Sequence, residues 1–337
     1  MIRVAVIGAG YWGPNLIRNF ATCPDTQLIA VCDREPSRLD KVLAAYPGVE
    51  GSTDVHAIMA NDDVDAIAIA TPVGTHSPLA LAGLEAGKHV LVEKPMTHSV
   101  HDAERMIECA SRNNRVLMVD HTFVFHPAVR KIKELIDAGE LGDLFFIDSV
   151  RINLGLFQHD VNVIWDLAPH DLAILDFLLG RLPKSLSAFG TSHTGGVGEL
   201  EDVAHLNLDF GEGLMASFHV NWLSPVKIRH FIISGSRKSI VYNDLDPAER
   251  IKVYDRGITI NQDVEQRRGV LVGYRTGDVC APHIESTEPL QSVVRHFASC
   301  ITHGRSPTTD GQAGLRVVRM LEAAQRSIKA QGGRITL

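Results

Sequence analysis

No apolar run in these 337 residues reaches the roughly 18 needed to cross a bilayer, so no membrane-spanning helix is expected. Basic charge is in deficit. The 33 Lys and Arg stand against 40 Asp and Glu, a net charge of -7, which gives no global field for nucleic acid or an anionic membrane. The five cysteines, Cys23, Cys32, Cys109, Cys280 and Cys300, are odd in number, widely spaced and without a C-x-x-C. That pattern fits neither a disulfide framework nor a zinc knuckle and suits reduced thiols in a cytoplasmic protein. The 16 histidines contain no H-E-x-x-H, and the pairs His121/His126 and His296/His303 have no third ligand near in sequence. No metal site is expected. Repeats, low-complexity stretches and a leader pattern are likewise missing, since MIRVAVIGAG passes from an apolar run straight into glycines.

The composition that remains is that of a globular protein, 45% hydrophobic and 22% charged, over a length that favours two domains. Short β-branched runs at 4–7, 28–32, 65–70, 89–92 and 116–119 alternate with segments of helical periodicity. Near-continuous apolar strands such as VAVI and AIAIA suit a parallel sheet covered on both faces. Pro36 and Pro78 are placed to open helices and Gly87 to close one. Residues 1–120 thus read as a doubly wound Rossmann unit. After Asp120 the pattern changes to a helix at 127–138, a strand at 144–153 and a helix at 168–179. Alternating strands follow at 203–210 and 214–222 about Gly211-Glu212-Gly213, with Leu214, Ala216, Phe218, Val220 and Trp222 on one face. Further strands are expected at 228–234, 240–243 and 251–254, and helices over 288–331. The fold class is α/β, with residues 121–337 forming an α+β domain around a mostly antiparallel open sheet.

Gly8-Ala9-Gly10-Tyr11-Trp12-Gly13 is a G-x-G-x-x-G set directly after the first strand and opening a helix. The glycines permit a tight turn and close backbone approach, and the helix N-terminus offers unpaired N–H groups to a pyrophosphate. Asp33 ends the second strand, 20 residues after Gly13, where a carboxylate accepts hydrogen bonds from ribose hydroxyls. NAD is the expected cofactor. Arg34 and Arg38, next to that acid, leave NADP open, because a guanidinium can grip a 2′-phosphate. Thr71-Pro72, with His76 just beyond, ends the strand at 65–70, and Glu93-Lys94-Pro95 ends the strand at 89–92. Ligands in such sheets bind outside these strand ends, so both loops are expected to face the nicotinamide half.

Lys94 at that strand end can hydrogen-bond a substrate oxygen and stabilise charge developing on it. Pro169 is tolerated best in a first turn, so Trp165-Asp166-Leu167-Ala168-Pro169-His170-Asp171 reads as a helix start, with Asp166 capping or preceding it. The i,i+4 spacing can bring Asp166 and His170 to one side, and a helix N-terminus would keep the imidazole neutral and able to take a proton. A plain N-cap and a satisfied helix-end histidine remain the alternative reading of the same residues. Arg151, Asn153 and Trp165 are candidates to reach substrate.

These motifs resemble the Gfo/Idh/MocA oxidoreductases, the family of glucose-fructose oxidoreductase and inositol dehydrogenase. The likeness is carried by VIGAGYWGPNLIRNF, VEKPM, WDLAPHDLAIL, EPL and TDGQAGLRVVRMLEAAQRS. It implies a Rossmann domain followed by an α/β domain whose open sheet makes a homodimer or homotetramer interface. It also implies that Lys94, Asp166 and His170 are the catalytic set. Where many members carry glycines before the Asp, this chain has Asn162-Val163-Ile164-Trp165, which alters the pocket wall. GYWGPNLIRNF, WDLAPHD and EPL look most like the branch acting on nucleotide-linked sugars in surface-polysaccharide and aminosugar biosynthesis. The expected activity is NAD-dependent oxidation of a sugar hydroxyl, C3 of a UDP-N-acetylhexosamine or its relatives. An NADP-dependent keto-sugar reductase, a dehydrogenase of inositol or another free polyol, and a non-catalytic NAD-sensing regulator are the alternatives.

Overall fold

The first strand, β1 (Ile2–Ile7), is almost wholly buried from Val4 onward, as a strand covered on both faces must be. The computed structural model describes residues 1–155, 161–194, 200–260 and 272–337. From β1 the chain runs through α1 (Gly13–Thr22), β2 (Thr26–Cys32), α2 (Pro36–Ala45), β3 (Glu50–Ser52), α3 (Val55–Ala60) and β4 (Ala66–Ile69). It continues through α4 (His76–Glu85), β5 (His89–Glu93), α5 (Val100–Arg112) and β6 (Leu117–Asp120). All six strands pair in parallel in the order β3-β2-β1-β4-β5-β6. The order reverses between β1 and β4, where such a sheet opens a ligand crevice at its carboxyl ends. Sequence periodicity places five of these strands. It misses β3, whose Glu-Gly-Ser carries no apolar pattern and whose pairing to β2 supplies the strand geometry.

Beyond His126 come α6 (Pro127–Asp137), β7 (Leu144–Leu154), α7 (Val163–Leu179), β8 (Ser185–Thr191), β9 (Val203–Gly211) and β10 (Leu214–Asn221). Then follow β11 (Leu223–Gly235), β12 (Ser239–Asn243), β13 (Ile251–Ile260), β14 (Val272–Cys280), α8 (Pro289–His303), α9 (Gly311–Lys329) and β15 (Ile335–Thr336). The second sheet has the order β14-β13-β12-β11-β7-β10-β9-β8-β15 and is antiparallel except where β7 meets β10. The expected hairpin of β9 and β10 is present. Its turn places Gly211, Glu212 and Gly213 at φ of 77°, 55° and 83°, a left-handed run that two glycines make accessible. Leu214, Ala216, Phe218, Val220 and Trp222 are buried, whereas Met215 on the opposite face is 52% exposed.

The chain forms two compact units, Met1–His126 with Thr287–Glu322, and Pro127–Ser286 with Ala323–Leu337. This differs from a simple division at 120/121. Helix α8 belongs to the first unit, where Phe297 packs edge-to-face on Phe20 and Glu288 pairs with Arg18 at 2.6 Å. Thr309 exchanges backbone and side-chain hydrogen bonds with Val119 and so covers the exposed side of β6. Helical periodicity reveals a buried face without revealing which sheet buries it. Among the described residues no helix is long and apolar enough to cross a membrane.

Candidate active site

In the first unit the glycine turn is fixed by backbone contacts. A Cβ on Gly8, whose φ is +99°, would lie 2.4 Å from the Ala70 carbonyl oxygen, and one on Gly13 would lie 2.1 Å from that of Gly8. Gly10 is different, since a Cβ there meets nothing nearer than Arg38 Nη1 at 3.7 Å. The amides of Gly10, Tyr11 and Trp12 have no backbone acceptor among the described residues. An open cradle rimmed by free N–H groups at the start of α1 fits a pyrophosphate, so these residues suit NAD. Tyr11 is 87% exposed beside them.

Asp33 is buried and braces the turn. Its Oδ2 accepts from Ala9 N at 2.7 Å and its Oδ1 from Glu35 N at 2.9 Å, with Arg38 Nη1 at 3.5 Å from Oδ2. The expected ribose acceptor therefore spends part of its capacity on the protein, while Arg34 and Arg38 are exposed. His76 departs further from expectation. It is 1% exposed, with Nδ1 2.9 Å from the Pro95 carbonyl and Nε2 2.8 Å from that of Thr71. It ties the loop after β4 to the loop after β5 and offers no open face to a cofactor. Thr71 accepts from the Thr75 hydroxyl at 2.7 Å, and Pro72 is exposed.

Lys94 follows β5 and precedes a cis peptide to Pro95. Its charge bears on four buried groups, favouring the ionised forms of Glu93 and Asp120 and disfavouring protonation of His76 and His121. Glu93 turns inward, contrary to its expected place against the cofactor. It is 9% exposed, and its Oε2 accepts from the Lys94 amide at 3.2 Å. Asp120, which sequence reasoning passed over, is 1% exposed at the end of β6. A carboxylate closing the apolar run LMVD was the available signal.

In the second unit, helix α7 starts earlier than Pro169 suggests. Asn162 is the N-cap, accepting from the Trp165 amide at 3.1 Å, and Pro169 lies inside the helix. The first-turn placement of Pro169 is thus corrected, as is the capping role for Asp166. Pro169 has no N–H for the Trp165 carbonyl, a loss that a helix buried on most sides can absorb through packing. His170, the eighth residue of α7, is beyond the reach of the helix-end dipole, so that argument for its neutrality lapses. The one-turn relation holds, with Asp166 and His170 on one side of the helix. The Trp222 indole, overlooked in the sequence, donates to Asp166 Oδ2 at 3.0 Å.

Arg151 is not open to a ligand. It is 4% exposed and its guanidinium grips Asp171, with Nη2 at 2.6 Å and Nε at 3.0 Å from Oδ1. Ser149 donates to the same carboxylate at 2.8 Å, so this set joins β7 to α7. Trp165 is also packed away at 9% exposure, whereas Asn153 is half-buried near the end of β7.

Residues 2–121 match the model of the oxidoreductase family with an NAD-binding Rossmann fold, GFO_IDH_MocA, and residues 129–241 match the GFO/IDH/MocA C-terminal domain. A 1-carboxy-3-chloro-3,4-dihydroxycyclohexa-1,5-diene dehydrogenase of Comamonas testosteroni is 33% identical over 56% of this chain, which spans half of that relative's length. Inositol 2-dehydrogenase of Rhizobium meliloti is 27% identical over 97% of both chains. UDP-N-acetylglucosamine 3-dehydrogenase of Acidithiobacillus ferrooxidans is 28% identical over 94% of both. A solved structure of that enzyme superposes with a TM-score of 0.80 at 26% identity, covering 98% of both chains. The glycine turn, the strand-end lysine and the two matched regions together make this chain an enzyme of the Gfo/Idh/MocA oxidoreductase family, with an NAD-binding Rossmann domain as its first unit.

Proposed function

We propose that the protein is an NAD-dependent dehydrogenase that oxidises a secondary hydroxyl of a sugar, with C3 of a UDP-N-acetylhexosamine or a related nucleotide sugar as the substrate class. It would serve surface-polysaccharide or aminosugar biosynthesis in the cytoplasm. One observation carries the reading: Asp166 stands one helical turn from His170 and is anchored by Trp222. The full-length likeness to a UDP-N-acetylglucosamine 3-dehydrogenase supports the substrate class.

NAD supplies the acceptor for the electron pair leaving the sugar carbon. The glycine turn and Asp33 hold it. His170 takes the hydroxyl proton, Asp166 orients His170 or a neighbouring hydroxyl, and Lys94 hydrogen-bonds the reacting oxygen as charge develops there. With keto sugar as substrate, the same proton returns from His170.

The test follows cofactor reduction with a panel of UDP-sugars, inositol and free hexoses, each offered NAD and NADP. His170→Ala and Lys94→Ala are expected to lower kcat by roughly 10²- to 10⁴-fold while NAD affinity by calorimetry stays near wild type. Turnover like wild type in both variants would remove the assignment. NADP use is the second reading, favoured by the exposed Arg34 and Arg38 beside an Asp33 already engaged by two amides.

A further inference from the structure

Strands β5 and β6 are paired, and Glu93 is the register partner of Asp120, so the two side chains leave the sheet on the same face. Both are buried. Glu93 Oε2 accepts from the Lys94 amide at 3.2 Å, and Asp120 Oδ1 accepts from the Thr122 hydroxyl at 2.8 Å. The remaining oxygens, Glu93 Oε1 and Asp120 Oδ2, have no donor among the described residues. Two buried orphan acceptors on adjoining carboxyl groups are satisfied together by one proton, donated by one oxygen and accepted by the other. Two bare carboxylates there would repel one another in a medium of low dielectric.

We propose that Glu93 and Asp120 form one proton-sharing carboxyl pair, through which Asp120 is a positioning residue for the backbone of Lys94.

The surrounding charges agree. Burial first, then the Asp120 carboxylate, holds Glu93 well above the ordinary carboxyl range, and burial raises Asp120 as well. Lys94 favours the ionised form of each, and the Thr122 hydroxyl and Trp12 indole favour it at Asp120. His121, next in the chain and 3% exposed, is held neutral by burial and adds no charge. With one proton between them the pair carries a single negative charge beside Lys94. The Trp12 indole is near enough to bear on the charge of Asp120, so it can report on the pair. The role at Lys94 rests on the proposed dehydrogenase reading. The shared proton stands apart from it.

Three indole signals are expected in a nitrogen-15 spectrum, from Trp12, Trp165 and Trp222, and Trp12→Phe identifies the first. In wild type the Trp12 signal should shift with pH, because loss of the shared proton adds charge beside the ring. In Asp120→Asn an amide N–H takes the proton's place, and the signal should stay fixed. Turnover should fall by about tenfold or more in Asp120→Ala and be restored to near wild type in Asp120→Asn, with NAD affinity by calorimetry near wild type in both.

A Trp12 signal that does not titrate in wild type, or titrates equally in Asp120→Asn, overturns the shared proton. Unchanged turnover in a folded Asp120→Ala overturns the positioning role. Should Asp120→Ala fail to fold, Glu93→Gln makes the same comparison, with a pH-independent Trp12 signal expected and a titrating one contrary. Wild-type protein that oxidises no sugar yet shows this Trp12 titration refutes the dehydrogenase reading and leaves the pair standing.

Discussion

Arg151 shows how a residue's type can mislead when its partner is hidden. In the sequence it is a cation near a strand end. In the structure both ends of the Arg151–Asp171 pair are 4% exposed at the side chain. Arg151→Met should leave Asp171 as an uncompensated buried charge and destabilise the protein by about 3–5 kcal/mol, read from urea unfolding. A substrate contact would instead raise KM at unchanged stability, and that outcome would restore the original reading. A second residue-scale expectation concerns acid. Burial, with a smaller push from Lys94, lowers His121 from 6.5 to about 3, and burial with Arg115 lowers His89 to about 4. Each depressed histidine contributes stability that is complete above 6.5 and declines as the pH falls toward its folded value, since the unfolded chain then binds more protons. The thermal midpoint should therefore drop between pH 6.5 and 4, and His121→Phe should flatten part of that slope. An identical slope in the variant would show that His121 is protonated in the folded state.

At the level of elements, legibility followed the strength of local pattern. The β9–β10 hairpin could be read because alternation and a Gly-Glu-Gly turn agree on one register. The start of α7 could not, because a proline rule that describes isolated helices is overridden where tertiary packing surrounds the helix. Asn162 marks the true start. Besides capping Trp165, its Nδ2 donates to Glu201 and Gln325 at 2.6 Å each. Asn162→Ala should cost about 1–2 kcal/mol, the upper end of a cap's contribution because two further bonds go with it. Chemical denaturation measures this, and a cost within error of zero would mean that water replaces the cap fully. The candidate site was legible to the same degree. Spacing singled out the glycine turn, Lys94, Asp166 and His170 as candidates. Nothing local could show that Glu93 and His76 turn inward or that Trp222 reaches Asp166 across 56 residues.

On the scale of the whole molecule, the face of the second sheet that carries Met215 and its register partner Phe146 remains open, at 52% and 40% exposure. We expect a second copy of the chain to cover it. Met215→Glu with Phe146→Glu should convert a dimer or tetramer to monomer in light scattering after gel filtration, and a wild-type monomer would rule this out. The division of the chain was harder to foresee than its folds, because α8 and the first part of α9 return to the unit that the chain left at His126. In topological terms the first unit is interrupted by residues 127–286 and closed by 287–322. Its hydrophobic core therefore cannot be completed until that later segment has been synthesised. A growing chain that has emerged only as far as Asp120 still lacks Phe297 against Phe20 and the strap over β6, so the nucleotide-binding half must wait for the other half to be made.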